Sequence, residues 1–123
     1  MKVFRDSECA AKNADPASFA GAVRMKALAR SEDDTPVHLY RVEFEKGGRT
    51  HWHTHSGPQW LFVVEGTIRV QTFGGPALDL APGDAVVFAP GEKHWHGAPP
   101  DASGAHLAIN VDATIQWLEP VID

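Results

Sequence analysis

Apolar and polar residues alternate along this 123-residue chain in short runs cut by glycine and proline, a pattern that predicts strands. In Val37 to Glu45 the even positions His38, Tyr40, Val42 and Phe44 share one face and Arg41, Glu43 and Glu45 the other, because successive strand side chains point to opposite sides. Thr67 to Phe73 and Ala85 to Ala89 read the same way and are rich in β-branched and aromatic residues, which suit a pleated surface. Interruptions fall at Gly47-Gly48, Gly57-Pro58, Gly66, Gly74-Gly75-Pro76, Pro82-Gly83-Asp84, Pro90-Gly91 and Pro99-Pro100. The intervening segments, roughly 5 to 10 residues each, fit strands better than helices. Only Asp6 to Ala14 has a helical look, on a weak apolar periodicity. Many short strands with regularly spaced turns imply an antiparallel sandwich or barrel. Pro99 to Gly104 has little to bury and is expected to be a mobile loop.

One domain over residues 1–123 suffices, since a chain of this length buries about two-thirds of its unfolded surface. Hydrophobic residues at 43% and charged residues at 22% exclude a disordered or fibrous chain. The net charge of -5 arises from 16 acidic and 11 basic residues without a basic run, so nucleic acid is not an expected partner. No apolar stretch approaches the length of a membrane-spanning helix. Cys9 is the single cysteine, which rules out an intramolecular disulfide. Met1 to Asp15 is polar and lacks a signal-peptide core, and with the lone thiol this favours a cytoplasmic location.

Candidate chemistry lies in the histidines. Of the seven, His53 and His55 form one group with His51, and His94 pairs with His96; His38 and His106 stand apart. Residues two apart on a strand project from the same face with Cα atoms about 6.5 to 7 Å apart, so His53 and His55 can converge on one ion. The turn at Ser56-Gly57-Pro58 can bring the Gln59 amide oxygen towards the same point, and His94 follows the Pro90-Gly91 turn. A His-x-His pair alone is more often exposed or hydrogen-bonded than metal-binding. His51 reads as a rim residue and His38 as a surface or strand-end residue. Trp52 and Trp95, each between clustered histidines, should point away from the metal face, and Trp60 reads likewise. Trp117, in Ile115 to Leu118, could form an edge strand or dock on a second subunit.

These residues resemble the cupins. The first cupin motif, G-x5-H-x-H-x3-E-x6-G, is matched by Gly47, His53, His55, Gln59 and Gly66, with glutamine where glutamate is usual. The second, G-x5-P-x-G-x2-H, is matched by Gly83, Gly91 and His94, with Ala89 at the proline position and Pro90 just after it. The resemblance covers about residues 36 to 112, with core motifs at 47–66 and 83–98. It implies an all-β cupin fold: a double-stranded β-helix, jelly-roll-like antiparallel barrel holding a divalent metal through His53, His55, Gln59 and His94. Three imidazoles and an amide oxygen suit Mn²⁺, Fe²⁺, Zn²⁺, Ni²⁺ or Cu²⁺; Mn²⁺ is the favoured ion, with Fe²⁺ next. Glutamine in place of glutamate removes a negative charge, which tilts the expected chemistry from oxygen activation towards polarising a substrate oxygen.

A narrower resemblance runs through Phe19 to Arg24, Gly48-Arg49-Thr50, Gly91 to Pro99 and His106 to Ile109, which look like small bacterial cupins that include manganese-dependent R-selective hydroxynitrile lyases. It implies a metal-dependent lyase in which His106 is the first candidate to move a proton, His96 is the second candidate but suits supporting the ligands or binding substrate better, and Tyr40, Val42 and Asn110 line the substrate pocket. Membership of such a family does not fix the reaction. A cupin dioxygenase or oxidative cleavage enzyme, and a non-enzymatic small-ligand-binding cupin, are the rival expectations. Cupins of this kind usually associate as homodimers, which is the expected assembly.

Overall fold

The computed structural model describes residues 1–122. In chain order the strands are β1 (Lys12–Asn13), β2 (Phe19–Ala20), β3 (Val23–Arg30), β4 (Val37–Phe44), β5 (Arg49–Thr50), β6 (His53–His55), β7 (Gln59–Gly66), β8 (Ile68–Thr72), β9 (Leu78–Leu80), β10 (Ala85–Phe88), β11 (His94–Gly97), β12 (Gly104–Val111) and β13 (Ile115–Trp117). Six form one sheet in the order β1-β3-β4-β12-β7-β10. The other seven form a second, ordered β13-β6-β11-β5-β2, with β8 paired to β11 and β9 to β8. The pairings within both sheets are antiparallel. The fold is thus the expected all-β jelly roll, built as two facing sheets rather than one closed hydrogen-bonded cylinder.

Alternation in the sequence becomes burial in the structure. On β7, Gln59, Leu61 and Val63 face inward while Trp60 and Phe62 stay exposed, and on β4 Val42 and Phe44 are buried. The core between the sheets includes Val23, Phe44, Leu61, Val63, Ile68, Val70 and Phe88. Burial of such side chains is worth about 1.5–3 kcal/mol each relative to exposure. Where β12 pairs with β7 the register shifts between Ala105 and His106, with one extra residue, Val64, on β7, while the pairing of β12 with β4 stays regular. Gly97 ends β11 against the backbone of Gly48 and Arg49, where a Cβ would collide with the Gly48 carbonyl oxygen, so only glycine lets β11 and β5 approach.

One local expectation is corrected. Asp6 to Ala14 is not a helix: it holds one 3₁₀ turn, Asp6–Glu8, with no buried residue, and then extends to pair β1 with β3. Without an apolar face to bury, a helix there would gain no tertiary support. Pro99 to Gly104 is tied at both ends, with the Pro99 carbonyl accepting from the Gly47 amide and the Ser103 carbonyl from the Thr67 amide. Trp117 lies on the edge strand β13, the first of its two expected placements. Trp52 packs edge-on against Phe73, and Trp95 donates its indole N–H to Gln71, so both serve packing. No helix among the described residues is long and apolar enough to cross a membrane.

Candidate metal centre

The pairing of β6 with β11 sets His53 opposite His94, and the two-residue strand period puts His55 on the same side. Ring centroids are 4.4 Å apart for His53 and His94, 5.0 Å for His53 and His55, and 5.4 Å for His55 and His94. Gln59 opens β7 after the Gly57-Pro58 turn, and its Oε1 lies 3.1 Å from His94 Nε2. All four expected ligands are therefore brought together and buried. His96 joins them more closely than the sequence implies, since His53, His94 and His96 each offer a ring nitrogen within 4.8 Å of the others. These three histidines could hold a metal ion.

Backbone contacts orient the lone pairs. His53 Nδ1–H donates to the His51 carbonyl at 2.9 Å and His94 Nδ1–H to the Glu92 carbonyl at 2.8 Å, so each ring turns its Nε2 lone pair inward. Glu92 is itself fixed, accepting at 2.6 Å from the Thr72 hydroxyl and at 2.9 Å from the Ala89 amide. Phe88 stacks on His94 at 3.7 Å and 14°. With the His94 proton on Nδ1, Gln59 Oε1 and His94 Nε2 face each other as two acceptors. A shared cation turns that repulsion into coordination. His55, buried, has no hydrogen-bond partner for either ring nitrogen among the described residues. A buried imidazole so placed is costly unless something else takes its lone pair. The donor set fits a divalent ion.

Burial, followed by the repulsion of a charged His94, pushes the pKa of His53 down to about 3 and that of His55 to about 4. Burial also lowers that of His94. All three are neutral near pH 7, so a metal need displace no proton from them.

A second pair lies beside the cluster. His96 Nδ1 and His106 Nε2 are 2.9 Å apart, and His96 Nε2 and His106 Nδ1 have no hydrogen-bond partner among the described residues. Thr50 Oγ1 accepts the His96 backbone N–H at 3.2 Å, and Phe44 packs beside His106 at 5.3 Å. Burial drives the pKa of His106 down to about 3 and that of His96 well below its usual value.

The lining of a chamber of about 130 Å³ includes His53, His55, Gln59 and His96 together with Tyr40, Val42 and Asn110, and leaves out His94. His106 stands behind His96, outside the lining. The larger hollow, about 620 Å³, lies elsewhere, beneath the N-terminal segment, and shares Phe19, Met25, Tyr40 and Trp117 with the inner chamber. The smaller space is the one whose wall carries the buried histidines His53, His55 and His96. Phe19, Met25 and Trp117 are site residues that the sequence reading missed. Trp117 could have been found by extending its edge strand onto β6, since that pairing sets Trp117 beside His53. Its ring lies 4.7 Å from His53 and 5.3 Å from Phe19. Phe19 and Met25 carry no local signal.

Known proteins resemble this chain to different degrees. Over 108 residues the chain is 44% identical to a protein of Granulicella tundricola named (R)-mandelonitrile lyase, covering 85% of this chain and 82% of the relative. A cupin-like protein of Thermotoga maritima superposes with a TM-score of 0.84 at 38% identity, over 90% of this chain and 86% of that one. A polyketide cyclase of Streptomyces resistomycificus, at 19% identity, shares the fold with a TM-score of 0.80 over all of this chain and 87% of the other. The model of the cupin domain matches residues 40–110, the stretch that carries both histidine motifs, and the chain belongs to the cupin family.

Proposed function

We propose that this cupin is a metal-dependent lyase that cleaves or forms cyanohydrins, with His53, His55, Gln59 and His94 holding Mn²⁺ and His96 moving the proton. The observation that carries the reading is the His96–His106 pair, set against the ligand cluster with His96 at the chamber wall. The relative named (R)-mandelonitrile lyase supports the substrate class. When bound, the ion supplies Lewis-acid polarisation of a substrate oxygen.

The chain's own residues do the rest. Cleavage turns a cyanohydrin into an aldehyde and hydrogen cyanide, so the hydroxyl proton must reach the cyanide that departs with the carbon–carbon electron pair. With the shared proton of the pair on His96 Nδ1, His96 Nε2 is a bare lone pair that accepts the hydroxyl proton and returns it to the leaving cyanide. During the interval the Nδ1 proton shifts towards His106 Nε2 across 2.9 Å, spreading over two rings a charge that burial penalises on one. His106 acts through His96, as a positioning residue. Tyr40, Val42 and Asn110 bound the chamber that receives the substrate.

The test is mandelonitrile cleavage under strict exclusion of oxygen, with and without a chelator, alongside metal analysis. Benzaldehyde and cyanide should form, disappear on chelation and return with Mn²⁺. Metal-replete protein without turnover would refute the lyase reading and favour ligand binding. Turnover that needs oxygen would move the protein to the oxidative cupins. The partner we propose is a second copy of this chain, because Trp60, Phe62 and Val87 form an exposed apolar patch beside the edge strand β10. Light scattering at twice the monomer mass is the expected result, and a monomer would remove it.

A further inference from the structure

Gln59 is a ligand with two unlike ends. A carboxylate offers oxygen whichever way it turns, whereas an amide offers oxygen from one end only, and its NH₂ must then find an acceptor. Burial makes that requirement strict, because an unpaired donor away from water is costly. The pairing of β12 with β7 sets Asn110 directly beside Gln59, and Gln59 Nε2 donates to Asn110 Oδ1 at 2.9 Å. Both side chains are buried. The far end of the same amide, Oε1, faces His94 Nε2.

We propose that Asn110 is a positioning residue for the metal centre: its Oδ1 takes the Gln59 NH₂, which commits the Gln59 oxygen to the ion and leaves Asn110 Nδ2 as the donor facing the substrate chamber. This rests on Gln59 being a ligand, as proposed above. The two amides form a coupled pair. If Gln59 turned its NH₂ towards the His94 lone pair, Asn110 would have to turn as well, offering Nδ2 to Gln59 and Oδ1 to the chamber. Every hydrogen bond would still be made, but the ion would lose its oxygen ligand. Metal occupancy and the polarity of the chamber wall are thereby linked. A loaded centre presents an N–H donor to a substrate acceptor, and among the described residues no protein acceptor takes that Nδ2.

The decisive measurement is the Mn²⁺ dissociation constant of metal-free protein, by calorimetry or by the loss of the free-ion electron paramagnetic resonance signal. Asn110→Leu, of similar size and without an acceptor, should weaken binding about ten- to a hundredfold. Asn110→Asp, which can only accept, should bind at least as tightly as the parent. In the Gln59→Glu background Asn110→Leu should change the constant by less than about threefold, because a carboxylate does not need its far end held. Equal losses in the two backgrounds, no loss in Asn110→Leu, or weak binding by Asn110→Asp would each overturn the proposal. If Asn110→Leu does not fold, the comparison of Asn110→Asp with the parent decides. A parent protein that takes up no Mn²⁺ would sink the metal reading on which this one stands. The cyanohydrin assay plays no part, so failure of the lyase reading leaves this test intact.

Discussion

Four of the five buried histidines fall into two groups held in opposite ways. His53 and His94 each give Nδ1–H to a backbone carbonyl two residues earlier, an acceptor fixed by the chain, so Nε2 stays a lone pair. His96 Nδ1 and His106 Nε2 instead share one proton across 2.9 Å, one ring donating while the other accepts. A carbonyl cannot take the proton from the imidazole it orients; another imidazole can. The first arrangement suits a ligand, which must never carry a proton, and the second suits a group that gains and loses one.

Substitutions should separate the two groups. The largest effect is expected for His94→Ala, which should drop metal content from about one ion per chain to near zero and abolish turnover; full occupancy by elemental analysis would contradict the ligand assignment. Next, His96→Ala should keep its metal and lose about 10²- to 10⁴-fold in kcat, whereas a lost ion would make His96 a ligand rather than a proton carrier. His106→Leu should keep both metal and substrate affinity and lose about tenfold in kcat, with the pH profile of the rate displaced. Unchanged turnover and profile would detach His106 from the mechanism.

The smallest effect concerns stability and pH. A free histidine titrates near pH 6.5, while burial holds His106 at about 3. Between these values the unfolded chain binds a proton that the folded chain refuses, so stability is lost as pH falls through that window. In metal-free protein, His106→Leu should therefore lose less stability than the parent between pH 7 and pH 4, read as a shallower fall in the urea midpoint. Identical slopes would mean that His106 is not kept neutral by the fold.

How much of this was legible in the sequence follows the range of the contacts involved. His53, His55 and Gln59 sit within seven residues, where strand period and one turn settle their direction, and His94 lies at the matching place in the second motif. Parity along β12 likewise set His106, Ala108 and Asn110 on one inward face, and all three are buried. Depth was not legible. That His96 stands between His106 and the chamber depends on the packing of β11 across from β12, which no local period encodes. Phe19 reaches the site through the pairing of β2 with β5, and Met25 through that of β3 with β4, contacts between segments whose own pattern carries no hint of them. The segment at Asp6 to Ala14 misled because a faint helical period lacks force without a surface to bury.

The inner chamber, at about 130 Å³, is smaller than the ~300–1,000 Å³ of ordinary small-molecule pockets, while the hollow beside it reaches about 620 Å³. The two spaces share Phe19, Met25, Tyr40 and Trp117 as a common wall, so a guest larger than the inner chamber would extend past these four side chains. Phe19 and Trp117 sit on two edge strands, β2 and β13, each only a few residues long. The histidine cluster and that common wall thus come from different parts of the chain, joined where the Trp117 ring lies beside His53.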